Sequence, residues 1–264
     1  MAIRLILLSI ALGAVFPPIL PAESTDCTIP VLIIADGRIT QSSFPQNTTY
    51  WYGIYAQARH SYSVEFEPPA DNYPNTTRAL LSPISVYGPN DNLQACRGTS
   101  SVAVTQNSGY APVILKNGNG AGRRLSFTAQ TAGLHLISVF NGGGTGGYSF
   151  RSVDTTLFNP RWSTWSGYSS QWGFLNRSDM PVTGTLSVYD SSNVMLVSVQ
   201  IIVPAGGEVM RGSYPTDLNL SPNHNGYALF SHNGPPGAIV ADAYMVGPAG
   251  SAVIFSKFEG IDGH

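Results

Sequence analysis

Charge is what this chain has least of. Asp, Glu, Lys and Arg make up 11% of its 264 residues, where a soluble domain ordinarily carries about a quarter. Long exposed helices draw on Lys and Glu, so they are not expected. The formal net charge is −2, which gives no electrostatic basis for binding nucleic acid or an anionic membrane. Cysteine is equally scarce, with only Cys27 and Cys96. No His or Cys pair sits at zinc-ligand spacing. No G-x-S-x-G elbow marks a hydrolase nucleophile. Past the first residues, no stretch keeps a helical period of 3.6. With apolar residues at 43% and little net charge, disorder is not expected either.

What the chain has begins with a leader. Met1-Ala-Ile-Arg4 is a short basic start, and Leu5 to Phe16 is an unbroken apolar and small-residue run. Pro17, Pro18 and Pro21 interrupt it, and Pro21-Ala22-Glu23 reads as a cleavage site. The run is about a dozen residues where a spanning helix needs about twenty, so residues 1–22 read as a secretory signal peptide. The expected localisation is extracellular or periplasmic, with no membrane insertion after cleavage. Cleavage removes Arg4 and no acid, leaving 12 basic against 15 acidic residues and a formal charge of −3. In an oxidising compartment Cys27 and Cys96 are expected to form a disulfide. A lipid-modified Cys27 is the alternative, but Ser24-Thr25-Asp26 lacks the small-apolar pattern it needs.

Gly, Ser, Thr, Asn and Tyr are abundant, a composition suited to turn-rich β-structure. His60, Tyr62, Val64 and Phe66 alternate with Ser61, Ser63, Glu65 and Glu67. Such alternation predicts a strand with one face on a core and the other in water. Leu125–Thr128 and Tyr148–Arg151 repeat the pattern. Clusters such as Pro89-Asn90-Asp91-Asn92, Asn117-Gly118-Asn119-Gly120 and Asn141-Gly142-Gly143-Gly144 punctuate the strands.

The pattern restarts after Asp154. Residues 155–168 read as an irregular aromatic junction. Strands are then expected at Gln171–Asn176, Thr183–Asp190, Val194–Val203, Gly226–His232, Ala238–Val246 and Ser251–Phe258. The fold expected is therefore all-β, with two consecutive antiparallel sandwiches over 23–154 and 155–264. Six or seven strands in about a hundred residues suit an immunoglobulin-like second sandwich, without that fold's internal disulfide.

The first half resembles the bacterial pre-peptidase C-terminal domain, a jelly-roll-like sandwich of secreted proteins. Tyr52-Gly53-Ile54-Tyr55-Ala56 and Tyr62-Ser63-Val64-Glu65-Phe66 resemble its opening strands. Ser82-Pro83-Ile84-Ser85-Val86-Tyr87-Gly88 with Asn90-Asp91-Asn92 resembles its central strand and acidic turn. Leu125–Ala129, Ala132–Val139 and Gly146-Gly147-Tyr148-Ser149-Phe150 resemble its ending. The resemblance covers roughly 28–154 and implies a non-catalytic module, some members of which bind collagen, polysaccharide or calcium. His135 stands where the family carries an aromatic, and no peptidase accompanies the domain. The second half resembles sandwich modules that follow such domains in exported bacterial proteins.

Candidate sites are few. Calcium is the one candidate cofactor: six or more oxygen ligands have sources in Asp71, Asn72 and Asn75 and in Asn90, Asp91 and Asn92. Asx-turn chemistry explains the same residues. Trp162, Trp165, Tyr168 and Trp172 form an aromatic run. Trp172 alternates with Phe174 and reads as core. Trp162, Trp165 and Tyr168 read either as packing at the junction or as an exposed binding surface. His60, His135, His224 and His232 lack a neighbouring acid motif and read as tolerated strand or loop residues. Asn47, Asn75 and Asn176 open glycosylation triplets that the bacterial resemblance leaves unmodified. The expectation is a secreted, non-enzymatic binding or adhesion protein whose partner is a polysaccharide or an extracellular protein. A structural subunit of a matrix or filament is the second reading, because Val194–Val203 lacks the lysines that protect strand edges. An unrecognised hydrolase is the third.

Overall fold

The computed structural model describes residues 24–44, 47–67, 81–90, 96, 105–107, 122–141, 146–248 and 253–260. The chain is all-β. Its first nine strands are β1 (Val31–Leu32), β2 (Thr40–Phe44), β3 (Thr48–Ala56), β4 (Ser61–Glu67), β5 (Leu81–Tyr87), β6 (Thr105–Asn107), β7 (Arg123–Thr128), β8 (Gly133–Asn141) and β9 (Gly146–Asp154). One sheet runs β2-β9-β4-β7 and the other β1-β3-β8-β5-β6. Apart from the short parallel β1, these are eight strands in two sheets of four, the order of a jelly roll. Between the sheets lie Tyr52, Ile54, Tyr62, Val64, Phe66, Val86, Ile137 and Phe150, all nearly inaccessible to solvent. The rings of Tyr52 and Phe150 meet with centroids 4.9 Å apart. His135 is buried, with its ring stacked 5.7 Å from that of Phe127.

The later strands are β10 (Leu157–Ser163), β11 (Ser169–Asn176), β12 (Val182–Asp190), β13 (Met195–Val203), β14 (Glu208–Gly212), β15 (Asn225–His232), β16 (Ile239–Val246), β17 (Val253–Lys257) and β18 (Glu259–Gly260). They form sheets of order β13-β12-β15-β10-β18 and β14-β11-β16-β17. As in an immunoglobulin sandwich, the second strand pairs with the fifth, the third with the sixth, and the third with the fourth. Here, however, the first strand lies beside the sixth and the seventh beside the second. Relative to that fold, β10 and β16 have exchanged sheets. The core holds Trp162, Trp172, Phe174, Leu186, Val188 and Phe230, with Phe174 and Phe230 stacked at 4.2 Å. Gly184 makes that stack feasible, since a Cβ there would lie 2.2 Å from the Phe230 ring.

Three sequence expectations change. Residues 157–163 are not an irregular junction but strand β10. Its register slips between Asn159 and Trp162, where Pro160 has no N–H to give the ladder. That bulge interrupts the alternation. Second, β4 is buried on both faces, because the later strands cover the side that reads as water-facing. Third, β14 falls where only a turn signal is visible.

Cys27 and Cys96 form the disulfide, with Cα atoms 5.4 Å apart and a sequence separation of 69. On the chain-entropy model such a loop contributes about 4 kcal/mol. Residues 1–23, and with them the leader, lie outside the described residues. Among the described residues no helix is long and apolar enough to cross a membrane.

Candidate functional site

The densest polar chemistry lies where the two halves meet. Only Thr155 and Thr156 separate β9 from β10, and both are buried. The Thr155 Oγ1 and Ser61 Oγ hydroxyls are hydrogen-bonded at 2.9 Å, and the Ser61 N–H donates to Thr156 Oγ1 at 2.8 Å. The His232 N–H of β15 donates to Ser61 Oγ at 2.9 Å. Beside them, Asp154 accepts from the Thr156 N–H through Oδ1 and pairs with His60 Nδ1 through Oδ2 at 2.7 Å. Arg59, held at φ +68, reaches across to donate to the Tyr189 hydroxyl at 2.6 Å, its guanidinium 5.5 Å over that ring. Tyr189 in turn stacks on Tyr227, 4.8 Å away and within 7° of parallel. Burial, and then the neighbouring Tyr189, raise the Tyr227 pKa.

The His60–Asp154 pair corrects the expectation that each histidine stands apart from an acid. The partners are 94 residues apart, beyond any local pattern. An aspartate on Nδ1 is how a general base is oriented, and His60 lines a cavity of about 560 Å³ with Phe158, Tyr227 and Glu259. The adjacent Ser61 hydroxyl, however, is committed to Thr155 and His232. A second cavity, about 400 Å³, separates the Glu65–Arg151 ion pair and Arg124 from Met180 and Pro235.

The aromatic run divides. Trp162 is fully buried, and its indole N–H donates to the carbonyls of Tyr189 and Tyr227 at 2.8 and 3.2 Å. The bulge in β10 turns it inward, so it packs in the second core and is not a ligand contact. Trp172 is core, as expected. Trp165 is 58% exposed on the short turn Trp165–Gly167, where Ser166 and Gly167 are left-handed. Thr164 ties that turn down by donating to the Ser221 carbonyl at 2.8 Å. Tyr168 is half-buried beside it.

Of the calcium candidates, Asp71, Asn72, Asn75, Asp91 and Asn92 lie outside the described residues, and Asn90 is exposed in the turn after β5. Among the described residues no three His, Cys, Asp or Glu side chains gather as a metal group. Asn176 is buried with its amide bonded to the carbonyls of Met180 and Val203, so it cannot accept a glycan. His224 and His232 flank opposite ends of β15, as their spacing predicts.

A surface that sequence reading missed is the outward face of β14-β11-β16-β17. Phe255 is 71% exposed there, and Val253, Met210, Leu175 and Tyr214 are also exposed. No single local segment signals it, because the residues come from separate strands and one loop.

No family model matches the chain, and no curated protein is similar to it. Among solved structures, the full extracellular region of zebrafish Gpr126/Adgrg6 aligns over 89% of this chain and 35% of its own, at 8% identity and a TM-score of 0.25. A glycosyl hydrolase family 2 member from Bacteroides cellulosilyticus aligns over 81% of this chain and 26% of its own, at 10% identity and TM-score 0.22. A beta-glucuronidase from Bacteroides uniformis gives 80%, 26%, 10% and 0.21. The chain thus spans about a third or less of each, and likeness at this level identifies neither family nor activity.

Two predictions follow from the burial pattern and the histidines. Trp162→Ala is expected to cost about 3–5 kcal/mol, as large aromatic deletions in cores do. Trp165→Ala is expected to stay within about 0.5 kcal/mol of the parent. Urea unfolding of both variants checks this, and equal losses would reject the assignment. His232 is buried, and desolvation lowers its pKa to about 4, below the roughly 6.5 of an unfolded histidine. As pH falls below that value the unfolded chain takes up a proton that the native chain refuses. Stability present above pH 6.5 is therefore lost toward pH 4, by on the order of 3 kcal/mol. Burial lowers the His135 pKa too, which acts in the same direction. Denaturant midpoints between pH 7 and 4 should fall, and His232→Gln should flatten the slope. An unchanged slope in that variant would rule His232 out as its source.

Proposed function

We propose that this protein is a secreted, non-catalytic binding protein that presents one sheet of its second sandwich to an extracellular polysaccharide or protein. The carrying observation is the outward face of β14-β11-β16-β17, where Phe255 stands 71% exposed among other apolar side chains. An apolar face left open on a soluble sandwich marks an interaction surface. The seam supports the non-catalytic reading. His60, Asp154, Ser61 and His232 are bonded to one another or to backbone across the junction, where they hold the halves together. Export accords with the Cys27–Cys96 disulfide.

A second reading is favoured by one specific observation. β13 lies at a sheet edge, is nine residues long and contains no charged side chain. Such an edge is a template for pairing with another chain, as in a matrix or filament subunit.

A glycan and matrix-protein array probed with the leaderless protein is expected to show retention on at least one ligand. No binding together with turnover in glycosidase, esterase or peptidase screens would replace this reading with an enzymatic one. Size-exclusion chromatography at micromolar concentration is expected to return a monomer. A concentration-dependent larger species, lost on Ile202→Lys at a 61% exposed position of β13, would favour the β13 edge instead.

A further inference from the structure

We propose that the open sheet face is a site for a neutral polysaccharide chain lying across its strands; this rests on the binding reading above and assigns it a ligand class and a location. Register places the residues. Gln171 of β11 is opposite Gly212 of β14 on one side and Tyr244 of β16 on the other, and Tyr244 is opposite Phe255 of β17. The ring of Tyr214 covers Gly212, since a Cβ on that glycine would lie 2.5 Å from the ring carbons. Its hydroxyl accepts from Gln171 Nε2. One row therefore reads Tyr214, Gln171, Tyr244, Phe255 across four strands. At about 4.8 Å per strand it spans roughly 14 Å.

The chemistry of that row selects its occupant. A sugar ring offers an apolar C–H face and a rim of hydroxyls. Aromatic faces take the first, and amide, phenol, carboxylate and ammonium groups take the second. Tyr244 and Phe255 meet edge to face, with centroids 5.2 Å apart and planes at 75°. Each ring thus fixes the other's orientation while Phe255 stays exposed, so little order has to be imposed on binding. Gln171 and Tyr214 are likewise pinned to one another. The adjacent rows hold Asp242 opposite Lys257 and the exposed Glu208, whose Oε1 lies 3.3 Å from where a Cβ on Gly173 would sit, two acids and one base beside the rings. A face of so little net charge repels an acidic polymer and offers a basic one little, which leaves hydroxyl recognition.

The test is retention of the leaderless protein on cellulose, xylan, chitin and starch, with matrix proteins in parallel. Retention on at least one polysaccharide is expected, little changed between low and high salt because no charge pair carries it. Tyr244→Ala and Phe255→Ala should each weaken it by about tenfold, the scale of a binding hot spot. Both sit on exposed or half-exposed positions, so their melting temperatures should match the parent's, and Trp165→Ala serves as an exposed aromatic outside the row. Polysaccharide retention unchanged in the Tyr244→Ala/Phe255→Ala double variant would overturn the site while leaving the binding reading intact. Binding to matrix proteins alone would overturn the polysaccharide and keep that reading. Binding to nothing would overturn both.

Discussion

The fold depends on a seam of neutral hydrogen bonds. Thr155 and Thr156 allow no flexible linker, and their hydroxyls bond Ser61 on the outer side of a jelly-roll strand. His232 closes the seam from the second sandwich through its backbone N–H. A sheet face covered in this way loses its water, and a buried polar group without a partner costs about 1–3 kcal/mol. Along the polar side of β4, Ser61 meets Thr155 and His232 of the covering surface, and Glu65 meets Arg151 of the neighbouring strand β9 at 2.5 Å. The match is partial, because the buried Ser63 hydroxyl has no hydrogen-bond partner. These bonds offset part of the cost of burying β4 on both faces.

The same residues show how far the sequence could be read. Period-2 alternation located β11, β12, β13, β15, β16 and β17 to within two residues, because turn signals bound them and their side chains alternate. It placed Trp172 and Phe174 in the second core for the same reason. Alternation has no means of distinguishing a polar face in water from a polar face in an interface, since both require groups that hydrogen-bond. β4 was therefore half-read. β10 was missed because Pro160 and the bulge around it break the period that identifies a strand. Sequence distance hid His60–Asp154, which only the pairing of β4 with β9 brings together.

Trp162 and Trp165 show the limit for function. They are three positions apart in one aromatic stretch and differ completely in exposure. The difference comes from a bulge that turns Trp162 toward two backbone carbonyls and a left-handed turn that carries Trp165 outward. Neither device has an unambiguous local signature. The row Tyr214, Gln171, Tyr244, Phe255 was illegible for another reason: it exists only once β14, β11, β16 and β17 are in register. Each residue alone reads as an ordinary turn or strand residue.

The scarcity of charge ties these features together. Ion pairs exposed to solvent are screened by salt and contribute little. Here the halves are joined chiefly by hydroxyls and backbone groups in a desolvated seam, where screening has little effect. The open face of the second sandwich has a similar character, with rings and an amide beside Asp242, Lys257 and Glu208. An assembly held by short-range contacts remains the same object across salt conditions. Its weakness is acid, because His232 is buried in neutral form at the junction, and a proton there adds charge where the seam offers it no water.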